Sequence, residues 1–173
     1  MKSSIDVEKI DITQLDVDAI VNAANSNLAH GGGVCGAIFR KAGPHRLADA
    51  CSEIGGCETG SAVITPGFDL KAKYIIHAVG PVWNGGENGE EKLLYSAYEK
   101  SLILARQNDC SSIGFPVISS GIYGYPKDQA WKVAVEACRD FIFDNPDYPI
   151  EIIFAVRSDR SREMGERTIS EIF

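Results

Sequence analysis

The stretch I-V-N-A-A-N-S-N-L-A-H-G-G-G-V-C-G-A-I-F-R-K-A-G, residues 20–43, decides how the rest of the chain is read. It opens as a short apolar strand at Ile20 and Val21 and passes through Asn22, Asn25 and Asn27. It then turns on Gly31, Gly32 and Gly33 and enters a helical pattern carried by Val34, Ala37, Ile38 and Lys41. Glycines admit a close backbone approach and positive φ. The helix that follows points its first N–H groups and its positive dipole end at the same place. A strand, an amide-rich loop, glycines and a helix start can together hold an anion. No Lys-Ser/Thr follows the glycines, which excludes a P-loop, and the G-x-G-x-x-G spacing of a dinucleotide fingerprint is missing. On these residues alone two readings stay open: an anion cradle, or a tight turn that caps a helix.

Upstream, residues 4–10 alternate well enough for a strand, and Asp11-Ile12-Thr13 interrupts it with turn or cap chemistry. Residues 18–22 form a second short strand. Downstream, Pro44 starts a helix over 44–54 with Leu47, Ala50, Cys51 and Ile54 on one face, and Gly55-Gly56 ends it. Strands are expected at 61–65 and 74–79 from their β-branched content. The second, Y-I-I-H-A-V, is almost continuously apolar, as a central strand covered on both faces should be. His77 lies inside it and reads as a core histidine with a hydrogen-bonded ring. Residues 81–89 read as a mobile loop. A strong helix spans 90–108, with Leu94, Ala97, Tyr98, Ser101, Leu102 and Ala105 on one face.

A buried strand at 112–118 then runs into a second glycine loop, S-S-G-I-Y-G-Y-P, residues 119–126. A second strong helix covers 126–144, a last strand 150–156, and a charged, weakly amphipathic helix 158–172. Strands alternating with helices imply an α/β fold with a largely parallel sheet and helices on both faces. Ligands bind such sheets at the carboxyl ends of the strands. Both glycine loops follow a strand and precede a helix, so two backbone nests can converge on one cleft and suit a diphosphate.

The chain has 173 residues, enough for one domain with a full core. The formal charge of −7 argues against general affinity for nucleic-acid backbones. No apolar run is long enough for a membrane span. Met1-Lys2-Ser3-Ser4 leads straight into a strand with no secretory signal, and the expected location is cytoplasmic. The cysteines Cys35, Cys51, Cys57, Cys110 and Cys138 are odd in number and form no C-x-x-C pair, which suits reduced thiols. Cys138 falls on the apolar side of its helix. His30, His45 and His77 show no ligand spacing with the cysteines, so no metal is expected.

N-A-A-N-S-N-L, then G-G-G-V-x-G-A-I, then I-S-S-G-I-Y-G-Y-P resembles the macrodomain family. D-I-T at Asp11, C-E-T-G at 57–60 and I-H-A-V-G-P at 76–81 keep the same order, and the resemblance runs from about Val7 to Val156. It is strongest to the bacterial branch that hydrolyses ADP-ribose esters. The resemblance implies a single macrodomain over residues 1–173. It implies a three-layer α/β/α sandwich around a central mixed, largely parallel sheet, with the N-terminal strand as the antiparallel edge. The implied ligand is ADP-ribose, with no cofactor and no metal. The implied substrates are O-acetyl-ADP-ribose or proteins mono-ADP-ribosylated on acidic side chains.

Carried over residue by residue, Asp11 matches the acceptor of the adenine amino group, and the Ile12 backbone meets the ring edge. Gly33, Val34 and Cys35 match the first phosphate loop, and Ser120, Gly121, Ile122 and Tyr123 the second. Asn25 matches the catalytic asparagine that holds the terminal ribose hydroxyls, and Tyr123 the aromatic that packs over that ribose. Asn22 can simply tie the loop to its neighbours, and Asp11 can be a turn residue.

Three positions depart from the branch pattern. Cys35 stands where an Asp is usual, Phe39 where a His is usual, and Arg157 near the place of an aromatic that stacks on adenine. A guanidinium can stack instead, or Arg157 can be a solvated strand-end residue. Cys35 is read as a catalytic or pocket-shaping residue. Its replacement of Asp favours a non-catalytic ADP-ribose reader, whereas Asn25 and the paired glycine loops favour the enzyme.

Overall fold

The computed structural model describes residues 2–173. Six strands form one sheet: β1 (Ser4–Lys9), β2 (Ala19–Ala23), β3 (Ala62–Pro66), β4 (Tyr74–Ala78), β5 (Ser112–Phe115) and β6 (Glu151–Val156). Five helices complete the fold: α1 (Gly33–Ala42), α2 (Pro44–Ile54), α3 (Glu90–Gln107), α4 (Lys127–Asp144) and α5 (Asp159–Ile172). The strand order is β1-β6-β5-β2-β4-β3.

The period-2 pleat sends neighbouring side chains into opposite layers. Ile20 and Ile75 join Ile38, Phe39 and Leu47 of α1 and α2 on one face. Val21 and Ile76 join Leu94, Tyr98, Ala134 and Cys138 of α3 and α4 on the other, where α5 adds Met164 and Ile169. Each isoleucine buried this way contributes about 1.5–3 kcal/mol. This is the three-layer sandwich with a mixed, largely parallel sheet that the resemblance implied, and Cys138 is core as expected. Among the described residues, no helix is long and apolar enough to cross a membrane.

One expectation is overturned. The N-terminal strand is an edge strand, but β1 runs parallel to β6. The antiparallel edge is at the other side, where β3 pairs with β4. The connection decides this: β3 reaches β4 through the short segment 67–73, and a parallel pair would need a long crossover. Boundaries also move slightly. β5 stops at Phe115 because Pro116 has no N–H for the ladder. Pro126 serves as the cap of α4, and Ser158 caps α5 by accepting from the Ser161 N–H at 3.1 Å.

The segment after β5 is set from the core. The Tyr98 hydroxyl, fully buried, accepts from the Ile118 N–H at 2.8 Å and donates to the Pro116 carbonyl at 3.2 Å. Its ring packs on Phe115 at 5.1 Å between centroids. The chain is thereby aimed into the second glycine loop at its first residues.

Candidate functional site

β2 and β5 are parallel neighbours, so their carboxyl ends deliver both glycine loops to the same edge of the sheet. In the first loop the Asn25 side chain clasps Ala29: its Nδ2 donates to the Ala29 carbonyl at 3.0 Å and its Oδ1 accepts from the Ala29 N–H at 3.0 Å. A primary amide has two N–H donors and two oxygen lone pairs. The clasp uses one of each and leaves one of each, so Asn25 is held rigidly with a donor and an acceptor to spare.

Gly33 follows with φ +57, a conformation that disfavours any side chain. Helix α1 then begins with no capping side chain. The N–H groups of Gly33, Val34 and Cys35 have no preceding turn to bond. In the second loop, Ser119 stands at φ 68 and its carbonyl accepts from the Tyr125 N–H at 3.0 Å. The N–H groups of Gly121, Ile122 and Tyr123 donate to nothing among the described residues. Both runs of free amides therefore belong to residues that line one cleft of about 530 Å³.

Asn25, Gly33, Val34, Cys35, Ser120, Gly121, Ile122, Tyr123 and Arg157 all line this cleft. Ile122 is 93 % exposed at the loop tip. Asp11 and Ile12 do not line it. Ile12 is buried at 5 % exposure. Asp11 reaches the cleft only through Arg157, whose guanidinium lies 3.6 Å from its Oδ2. Its Oδ1 accepts from the Thr13 N–H at 3.0 Å and the Thr13 hydroxyl at 2.7 Å. Burial raises the Asp11 pKa, but these hydrogen bonds and the Arg157 charge outweigh it and hold the carboxyl below its ordinary range. Asp11 is thus both a turn residue and an anion at the end of the cleft.

Sequence reasoning missed Lys127, the first residue of α4, and Ser158 and Ser161 beside Arg157, all of which line the cleft. Lys127 places a cation beside the second loop in a chain of net charge −7. Its signal was its position directly after the Y-P that ends that loop.

Cys35 is 6 % exposed. Its thiol donates to the Ala29 carbonyl at 3.6 Å and accepts from Asn22 Nδ2 at 3.7 Å. Among the described residues it hydrogen-bonds to no basic side chain, and the sulfur shares the Ala29 carbonyl with the Asn25 clasp. The usual His position holds Phe39, whose buried ring stacks on His30 at 4.8 Å.

Asn22 ties the loop to its neighbours, as one reading had it. The parallel register sets it beside His77, and its Nδ2 donates to His77 Nδ1 at 3.1 Å. His77 Nε2 then carries the proton and donates to the Thr65 hydroxyl at 2.9 Å. Burial pushes the His77 pKa down to about 4. The unfolded chain takes up this proton near 6.5 and the folded one only near 4, so stability present above pH 6.5 is lost as pH falls through that window. The gap is worth about 3 kcal/mol. Thermal melts from pH 7 to pH 4 should therefore fall more steeply for the wild type than for His77→Gln. Equal slopes would remove His77 as the cause.

The macro domain family model matches residues 21–134. The chain belongs to the macrodomain family. This macrodomain is 50% identical over 175 residues to an O-acetyl-ADP-ribose deacetylase of Salmonella typhimurium, covering 99% of this chain and 97% of that protein. It superposes on an Oceanobacillus iheyensis macrodomain solved with ADP at a TM-score of 0.93 and 35% identity, covering 99% of this chain and 92% of the other. A Trypanosoma brucei macrodomain in complex with ADP-ribose gives 0.88 at 37% identity, over 95% of this macrodomain and 68% of that chain.

Proposed function

We propose that this macrodomain binds ADP-ribose and hydrolyses ADP-ribose esters, either O-acetyl-ADP-ribose or ADP-ribosyl groups on acidic side chains of proteins. One observation carries the reading. The free amides of Gly33–Cys35 and of Gly121–Tyr123 meet across one cleft, with the clasped Asn25 on its wall. A diphosphate satisfies both amide runs at once, and Lys127 adds charge beside it. The relatives named above support the ligand and the reaction class.

In this reading the spare donor and acceptor of Asn25 hold the terminal ribose hydroxyls, and Tyr123 covers the ribose. Fixing the diphosphate at two loops sets the ester carbon against a water held near the phosphate, so catalysis is chiefly positioning. Cys35 shapes the wall, because its thiol donates to the Ala29 carbonyl and, among the described residues, hydrogen-bonds to no base. The whole chain acts as a single macrodomain in the cytoplasm. A non-catalytic reader is the second reading, favoured by Cys35 in place of Asp. Release of ADP-ribose from either ester separates the two.

Adenine lies at the Arg157 end of the cleft with the guanidinium stacked on the ring, and Asp11 and the Ile12 backbone, which lie outside the lining, meet the ring edge once Arg157 leaves Asp11 to stack. Asp11→Ala should weaken ADP-ribose binding by about 1.5–3 kcal/mol, as for a hydrogen bond to a charged group. Calorimetry with the inosine analogue checks the assignment: the preference for adenine should shrink, and an intact preference would remove Asp11 from the adenine site.

A further inference from the structure

Residues 81–89 form a third loop, outside the cleft lining, and it is wrapped around one carboxylate. Glu90, the first residue of α3, is 1 % exposed. Its Oε2 accepts from the Asn84 N–H at 2.9 Å and the Gly86 N–H at 2.9 Å, and its Oε1 from the Asn88 N–H at 2.6 Å. Hydrogen bonds to an ionised acceptor are about twice as strong as neutral ones. The Asn84 N–H, set against burial and joined by those of Gly86 and Asn88, holds the Glu90 carboxyl below its ordinary range. The loop expected to be mobile is therefore tied to a single buried anion.

The same loop grips the second phosphate loop. The Trp83 N–H donates to the Tyr123 carbonyl at 2.8 Å. The Trp83 ring packs on Tyr125 at 4.7 Å between centroids. Gly86, at φ +88, packs close to the six-membered part of that indole, where an added Cβ would stand 2.7 Å from it. At the start of the loop, Gly80 rests against the base of the second loop, where a Cβ would stand 2.2 Å from Ser119 Oγ. The free amides at 121–123 are thus braced from outside the cleft, and the brace takes its shape from Glu90.

We propose that Glu90 is a positioning residue for the diphosphate and terminal-ribose half of the site, acting through loop 81–89 and the Trp83–Tyr123 hydrogen bond. The inference rests on the proposed ADP-ribose site. Its effect is confined to one end of the cleft, because the Asp11–Arg157 end is built from other elements. Coupling is also reciprocal: if the loop sets the second phosphate loop, bound ligand must in turn stabilise the loop.

Two measurements test this. Calorimetry of wild type and Glu90→Gln with ADP-ribose and with AMP should show ADP-ribose affinity falling about tenfold while AMP affinity is unchanged. An unchanged ADP-ribose affinity, or an equal fall for AMP, would overturn the proposal. In the wild type, amide hydrogen exchange at Trp83, Asn84, Gly86 and Asn88 should slow when ADP-ribose binds. Exchange that does not change at these amides would overturn it without recourse to a variant. A wild type that fails to bind ADP-ribose would instead sink the proposed function.

Discussion

Replacing Asn25 by alanine is expected to reduce single-turnover hydrolysis of an ADP-ribosyl ester about a hundredfold or more, the scale of a misplaced reacting group. Asn25→Ala removes both clasp bonds to Ala29 and also the spare donor and acceptor. Cys35→Ala, in contrast, should retain most activity. The thiol makes only long contacts at 3.6 and 3.7 Å, and alanine fills similar space next to the first phosphate loop. Cys35→Asp should raise turnover if the carboxylate usual in the branch is accommodated beside Asn22. Folding is checked by thermal melts and the ligand site by ADP-ribose affinity. Loss of hydrolysis in Cys35→Ala with binding preserved would make Cys35 a catalytic participant. An active Asn25→Ala would remove Asn25 from the reaction.

The second large effect is on binding. Gly121→Val should weaken ADP-ribose roughly a hundredfold, about 3 kcal/mol, at the upper end of what overpacking costs. A side chain at Gly121 can act in two ways, by restricting the loop backbone or by occupying phosphate space. Only the second stands. Gly121 is not at positive φ, and its added Cβ meets nothing within 4 Å, so the loop accepts the side chain without strain. Gly121 lines the cleft beside these amides, and the expected loss comes from the bulk that valine adds to that lining. Calorimetry should show the loss with an unchanged melting temperature. Unchanged affinity would mean that the second loop does not hold the diphosphate.

Much of this was legible in the chain because it is local. The continuous apolar run of β4 and the 3.6-residue stripes of α3 and α4 follow from burial on two faces and on one. The glycine loops were legible because strand, glycine and helix start lie within a few residues of one another. The direction of an edge strand was not, since the alternation of β1 is the same whether its partner runs parallel or antiparallel. Only the short 67–73 connection places the antiparallel edge at β3. Nor could the spacing show that Asp11 is separated from the cleft by Arg157, a pair more than a hundred residues apart in sequence. Glu90 was read as part of a helix. A glutamate at a helix start ordinarily complements the dipole, and the role visible here depends on three loop amides folding back onto it. The preceding G-G-E-N-G was the available signal, because closely spaced glycines allow such a wrap.

The central claim is that the two amide runs and Asn25 form a hydrolytic ADP-ribose site. The most direct test is to incubate the purified protein with O-acetyl-ADP-ribose and with a protein mono-ADP-ribosylated on acidic residues, and to follow free ADP-ribose. The account predicts its release from at least one ester, without added metal, and its loss in Asn25→Ala. ADP-ribose bound in calorimetry but released from neither ester would contradict the account and leave a reader.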